Sequence, residues 1–327
     1  MRSGSSPTAR VLAALVLLLA AGCATAPPER PFSFAVMGDA PYTPGEEVQF
    51  ERMLASLDRE PLAFIVHVGD IKGGAPCTDE LYLKRRAQFD RSAHPFFYTP
   101  GDNEWTDCRG IPAGPHDPIE RLQRLRQIFF EGEGSLGRTH MAAESQRECA
   151  VPAPAACGCM AYPENRAWMV PPVRFVTLDV AGSDNNEGYD AANDREAHCR
   201  NAANHAWLER WVAASAVPEV RALVVMVQAN PWFIIRTPGV FDGFLADLRS
   251  AAARLHKPVL LVHGDTHIYR ADRPFVDAFG EPLPWLARLE TYGSPFVGWV
   301  RVTVDPATPE LFTFEPNLFA IVPRRLP

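Results

Sequence analysis

Four short acidic signatures, each closing an apolar run, constrain this chain more than any other feature. They are Gly38-Asp39, Gly69-Asp70, Gly101-Asp102-Asn103-Glu104 and Gly264-Asp265-Thr266-His267. The runs before them, at 32–38, 62–69, 95–98 and 258–262, are rich in aliphatic and aromatic residues and do not alternate with polar ones. That is the pattern of strands buried on both faces. Helical spacing fills the gaps at 45–59 (Val48, Met53, Leu54, Leu57 inward), 79–91 (Leu81, Leu83, Phe89 inward), 118–130, 191–214 and 241–255. Further strands are expected at 173–180, 221–227, 299–304 and 311–314. Such alternation predicts an α/β fold with a mostly parallel sheet. Open α/β sheets bind ligands outside the carboxyl ends of their strands, where these tips fall. Because the tips come from both halves of the chain, one site within one domain, 32–327, is expected. Carboxylates gathered this closely repel one another unless a cation lies among them. A divalent metal is the natural candidate.

Taken in order, the tips resemble the motifs of the calcineurin-like metallophosphoesterase superfamily: Asp-x-His, Gly-Asp, Gly-Asn-His-Asp/Glu, a His after a strand, and Gly-His-x-His. This chain carries Asp39-Ala40-Pro41, Gly69-Asp70, Gly101-Asp102-Asn103-Glu104, Gln228-Ala229-Asn230-Pro231 and Gly264-Asp265-Thr266-His267. The resemblance implies a four-layer α/β/β/α sandwich of mixed sheets flanked by helices. It implies hydrolysis of phosphate esters with one or two divalent metal ions. Residue by residue, it places Asp39, Asp70 and His267 around a first ion, with Asp70 bridging. Asp102, Asp265 and Gln228 or Asn230 fall around a second. Pro41 stands where the family has a His, and Asn103 where it has the His that assists the leaving group. An amide cannot donate a proton as an acid does, which leaves Asn103 to position phosphate by hydrogen bonding. The exchange of imidazoles for oxygen donors favours Mg²⁺, Mn²⁺ or Ca²⁺ over Zn²⁺. Two readings stay open: a phosphoesterase centred on Asp70 and Asn103, or a non-catalytic relative that binds a ligand or an envelope partner.

Other residues carry paired readings. Glu104 either supports the ligands from behind or is a surface charge. Tyr42 either meets a substrate or packs. Asn185 and Asn186 either line the pocket or belong to a solvated loop, as does Glu164. His67 and His263 read as buried, hydrogen-bonded histidines, and Trp207 with Trp211 as core.

At the N-terminus, Arg2 and Arg10 precede an apolar run at 11–21. It falls short of the roughly 20 residues a membrane span needs and suits the core of a signal peptide, 1–22. Leu19-Ala20-Ala21-Gly22-Cys23 resembles a bacterial lipobox, with Cys23 lipidated after cleavage and a Pro-rich tether at 23–31; ordinary cleavage nearby is the other reading. Ala24 is not the Asp that retains such proteins at the inner membrane, so an outer-membrane lipoprotein facing the periplasm or cell surface is expected. Six further cysteines remain: Cys77, Cys108, Cys149, Cys157, Cys159 and Cys199. An even number in an exported chain reads as up to three disulfides. A Cys77–Cys108 bridge is expected if the Asp70 and Asp102 loops lie side by side. The Gly-, Ala-, Pro- and Cys-rich stretch around 131–162 reads as an insertion stapled by the others. The net charge of −7 becomes more negative once Arg2 and Arg10 are removed. This argues against nucleic acid as a partner and leaves a small phosphate ester, with membrane contact only through the lipid.

Overall fold

The computed structural model describes residues 30–148, 157–158, 160–277 and 279–323. The signal peptide, Cys23, Cys149 and Cys159 lie outside them. Two mixed sheets stack face to face. The first has the order β12 (Phe312–Ile321), β11 (Phe296–Val304), β1 (Phe32–Met37), β2 (Ile65–His67) and β3 (Phe96–Tyr98). The second runs β4 (Glu144–Gln146), β5 (Tyr162–Val170), β6 (Val173–Thr177), β7 (Ala222–Met226), β8 (Val259–His263), β10 (Leu286–Glu290) and β9 (Arg270–Asp272). Strands β1, β2 and β3 are parallel, as are β6, β7, β8 and β10; antiparallel strands close the edges.

Helices cover both outer faces, giving the expected four layers. On the first sheet lie α1 (Pro44–Leu57), α2 (Asp79–Asp90) and α3 (Pro118–Phe129); on the second, α4 (Ala191–Ala214) and α5 (Asp242–Leu255). Local chemistry starts them: Thr43, Thr78, Asp117 and Asp190 cap the first four, with Pro44 and Pro118 in first turns. These side chains accept from backbone N–H groups that a helix start leaves without partners.

Between the sheets Phe34, Val36, Val66 and Phe97 meet Trp168, Phe175, Val224 and Leu260. The alternate residues Met37, Ile65 and Tyr98 face outward onto Phe50, Phe89 and Leu125 of the first helical layer. Val176, Val225 and Leu261 likewise meet Trp207, Leu208 and Leu248. Burial on both faces explains the unbroken apolar runs. Each such side chain contributes about 1.5–3 kcal/mol, and the middle layer holds the two ligand-bearing sheets together.

Some expectations are corrected. Val48 is 50% exposed and Leu83 is 53% exposed. Helix α2 buries Tyr82 and Arg85 together with the expected Phe89, a 3–4 spacing whose stripe excludes position 83. Strands β4, β5, β9 and β10 were not expected; in β5, Glu164, Asn165 and Arg166 interrupt the apolar run yet are buried. Two disulfides form among the described residues: Cys77–Cys108, joining the loops after β2 and β3, and Cys157–Cys199, tying the Cys-rich stretch to α4.

Candidate metal centre

Parallel pairing brings the carboxyl ends of β1, β2, β3 and β8 to one edge of the sandwich. There the backbone turns sharply. Asp39, Asp70, Asp265 and His267 have φ of 51°, 58°, 80° and 65°. Left-handed backbone costs non-glycine residues roughly 1–2 kcal/mol each, and strain of this kind collects at functional sites. Two glycines permit the approach. A Cβ on Gly101 would overlap Asp70 Oδ1, and one on Gly264 would overlap Asp39 Oδ2.

Glu104 ties the tips together. Its carboxylate accepts from the backbone N–H groups of Asp70 (3.0 Å), Ile71 (3.2 Å) and Gly101 (2.6 Å), and from the Tyr98 hydroxyl (2.8 Å). It is fully buried, so the surface-charge reading is set aside. Burial pushes its pKa up to about 7, and the Gly101 N–H and Tyr98 hydroxyl pull the other way.

Asp39, Asp70 and His267 offer ligand atoms that all lie within 4.8 Å of one another. His267 Nε2 stands 3.7 Å from Asp39 Oδ1. Its Nδ1 lies 2.7 Å from the carbonyl oxygen of Ser294. A carbonyl only accepts, so Nδ1 carries the proton and Nε2 faces the carboxylates, the orientation a metal-binding imidazole needs. Asp39 Oδ2 is buried without a hydrogen-bond partner. Asp70 Oδ2 accepts from the Tyr42 hydroxyl (2.6 Å) and from Asn103 Nδ2 (2.7 Å), which also donates to the Tyr42 oxygen (2.8 Å). Burial, then the charges of Asp70 and Asp265, raise the Asp39 pKa well above the ordinary carboxylate range. Burial, then Glu104, does the same to Asp70. Burial and the Asp70 and Asp39 charges also raise Tyr42, which keeps its proton and donates. Two carboxylates, one of them with an orphaned oxygen, and an aligned imidazole form a donor set that fits one divalent cation.

The remaining residues are not drawn into that trio. Asp102 accepts from Gln228 Nε2 (2.8 Å) and from Ser183 Oγ (2.7 Å). Gln228 Oε1 accepts from the Gly182 N–H (2.5 Å), so this side chain is a strut between two loops. Asn230 Nδ2 donates to Thr266 Oγ1, and its Oδ1 accepts from the Trp232 N–H, leaving its oxygen engaged locally. Asp265 accepts from the Asn230 N–H (2.9 Å), and its own N–H donates to Asp39 Oδ1 (2.8 Å). Burial raises the pKa values of both Asp102 and Asp265; Asp70 adds to the first and Asp102 to the second. Asn185 and Asn186 are buried, not solvated. Asn185 Oδ1 accepts from Arg200 Nη1 (2.6 Å), and Asn186 Oδ1 accepts from Arg109. Glu164 is buried against Arg126. His67 and His263 are buried, with ring nitrogens 3.0 Å from Ala40 O and 2.8 Å from Gly264 O. Burial lowers their pKa values to about 4 and about 3. Ser294, which orients His267, carried no sequence signal.

No protein-family profile matches the chain, and no curated protein matches it. Among solved structures, it is similar to a dimetal phosphatase from Danio rerio, at 13% identity and a TM-score of 0.47, covering 89% of this chain and 97% of that one. It is similar to the 5'-nucleotidase from Candida albicans SC5314, at 14% identity and a TM-score of 0.44. That match covers 87% of this chain but 50% of the nucleotidase, so this chain spans about half its length. Vacuolar Protein Sorting 29 from Cryptosporidium parvum aligns at 10% identity and a TM-score of 0.34, covering 88% and 97%.

Proposed function

We propose that this chain is a metal-dependent hydrolase of phosphate esters. One observation carries the reading: Asp39, Asp70 and His267 converge within 4.8 Å at a buried strand edge. A divalent ion held there supplies positive charge and Lewis acidity to a phosphoryl group. The oxygen-majority donor set supports Mg²⁺, Mn²⁺ or Ca²⁺ ahead of Zn²⁺. Asp39, Asp70 and His267 hold the ion, and the Ser294 carbonyl fixes the His267 ring. Asn103 acts on Asp70: its amide nitrogen lies within hydrogen-bond distance of Asp70 Oδ2 and of the Tyr42 oxygen, which are themselves hydrogen-bonded to each other. Asp102 and Asp265 stand where a second ion would be held.

Asp70→Ala should cut metal-dependent hydrolysis of an aryl phosphate by a factor on the order of 10² or more. Activity equal to wild type would place the chemistry elsewhere. Elemental analysis after reconstitution should find at least one divalent ion per chain. A binding role without turnover is the second reading, favoured by the internal engagement of Gln228 and Asn230 and by the amide at position 103. A screen of phosphate mono- and diesters with each ion separates the two, since the binding reading predicts no turnover with any of them.

Export and lipid anchoring at Cys23 belong to the proposal. Two disulfides support an oxidising compartment, and among the described residues no helix is long and apolar enough to cross a membrane. Cys23→Ser should release the protein from the membrane fraction; continued attachment rules this anchor out.

A further inference from the structure

Beside the candidate metal centre lies a cleft of about 430 Å³ whose lining includes Lys72, Asn103, Asp107, Arg109, Tyr189 and Arg236. Three of these six side chains are cationic, in a chain that is acidic overall. One residue separates the cleft from the trio. Lys72 Nζ lies 2.5 Å from the Asn103 carbonyl oxygen, while the Asn103 amide touches Asp70. The guanidinium carbons of Arg109 and Arg236 sit 3.2 Å and 3.8 Å from the centre of the same ring, Tyr189. Two like charges are therefore stacked on one aromatic ring.

The backbone accepts strain to hold them there. Ser183, Asp184, Asn185 and Asn186 are four consecutive left-handed residues, with φ of 48°, 52°, 53° and 68°. Both arginines are anchored on this turn. Arg109 donates to Asn186 Oδ1. Asp184 accepts from the N–H groups of Ile235 (2.9 Å) and Arg236 (2.7 Å) and lies 3.5 Å from Arg236 Nε. Ser183 fastens the same turn to Asp102. An expensive turn thus sets two guanidinium groups at a fixed place beside the metal centre, and planar guanidinium groups recognise phosphate with directed paired hydrogen bonds. The cleft volume suits a small molecule.

We propose that Lys72, Arg109 and Arg236 form a subsite for a second phosphoryl group of the substrate, so that the favoured phosphate esters carry two phosphates. The proposal deepens the hydrolase reading and rests on it for the word substrate. Its test reads binding alone. Calorimetric titration of the metal-loaded protein with methylenebisphosphonate, which has no P–O–P bond to hydrolyse, should give a Kd at least tenfold below that for inorganic phosphate. The R109Q/R236Q double variant should lose that preference. A wild-type protein without the preference, or a double variant that keeps it, overturns the proposal. If the double variant does not fold, R236Q alone is read by the same criterion, since that side chain is 46% exposed. Loss of the preference in the double variant, together with no turnover of any phosphate ester by the wild-type protein, would keep the anion subsite and remove the hydrolase reading.

Discussion

Two groups of buried charge in this fold are built on opposite terms. Around β5 and α4, acids meet cations that the chain itself provides. Arg126 Nε lies 3.1 Å and 3.0 Å from the two carboxylate oxygens of Glu164. Arg200 Nε lies 2.8 Å from Glu196 and 3.9 Å from Asp179. Its remaining donors reach the carbonyl of Asp179 and the side chain and carbonyl of Asn185. At the strand tips, by contrast, Asp39, Asp70, Asp102 and Asp265 form no ion pair with any Lys or Arg among the described residues; His267 beside Asp39 is the sole basic partner. Where charge serves architecture the chain balances it internally. Where it does not, the metal ion proposed for Asp39, Asp70 and His267 would supply the balance.

The largest effect should come from unbalancing the self-sufficient group. Arg200→Met strands Glu196 and Asp179 and releases Asn185, so it should cost about 3–5 kcal/mol in chemical denaturation. A loss under about 1 kcal/mol would mean that the two groups do not differ as described. Next comes the cation. A divalent ion at a hundred times its Kd should stabilise the folded chain by about 2.7 kcal/mol, seen as a rise in Tm of several degrees. Asp39→Asn should abolish that rise and, without metal, leave the protein at least as stable as wild type, because one repelling charge is gone. A third effect is the pH slope. Burial pushes Asp179 and Glu104 up to about 7, and burial raises Asp39 and Asp70 too. The folded state keeps protons that the unfolded chain releases near pH 4, so it binds more of them and stability falls as pH rises from about 4 towards 7. Added metal should remove the share of Asp39 and Asp70 and leave the share of Asp179. Thermal melts across that range, with and without metal and with Asp179→Asn, separate the two.

The sandwich was readable because parallel central strands bury both faces and leave unbroken apolar runs ending in Gly-Asp. The family resemblance, rather than the apolar pattern, singled out Asp39, Asp70 and His267, whose ligand atoms the fold brings within 4.8 Å of one another. The apolar pattern failed where polar residues are buried by partners far away in the chain. In β5, Glu164 breaks the apolar run and is matched by Arg126, thirty-eight positions earlier. Gln228 and Asn230 occupy ligand-like positions, yet their amides serve neighbouring loops. The left-handed turn after β6 and the Arg109–Tyr189–Arg236 stack have no local pattern to read. Both depend on contacts between segments that only the folded chain brings together.

The ligands of the trio come from the loops after β1, β2 and β8, so no local stretch of the chain can chelate alone. A nascent N-terminal portion, or a fragment lacking β8, would not hold the complete trio. On the proposed metal reading, the full site would form only once the strand leading to His267 has been made and docked. The free metals of the compartment in which folding finishes would then bear on which ion fills it.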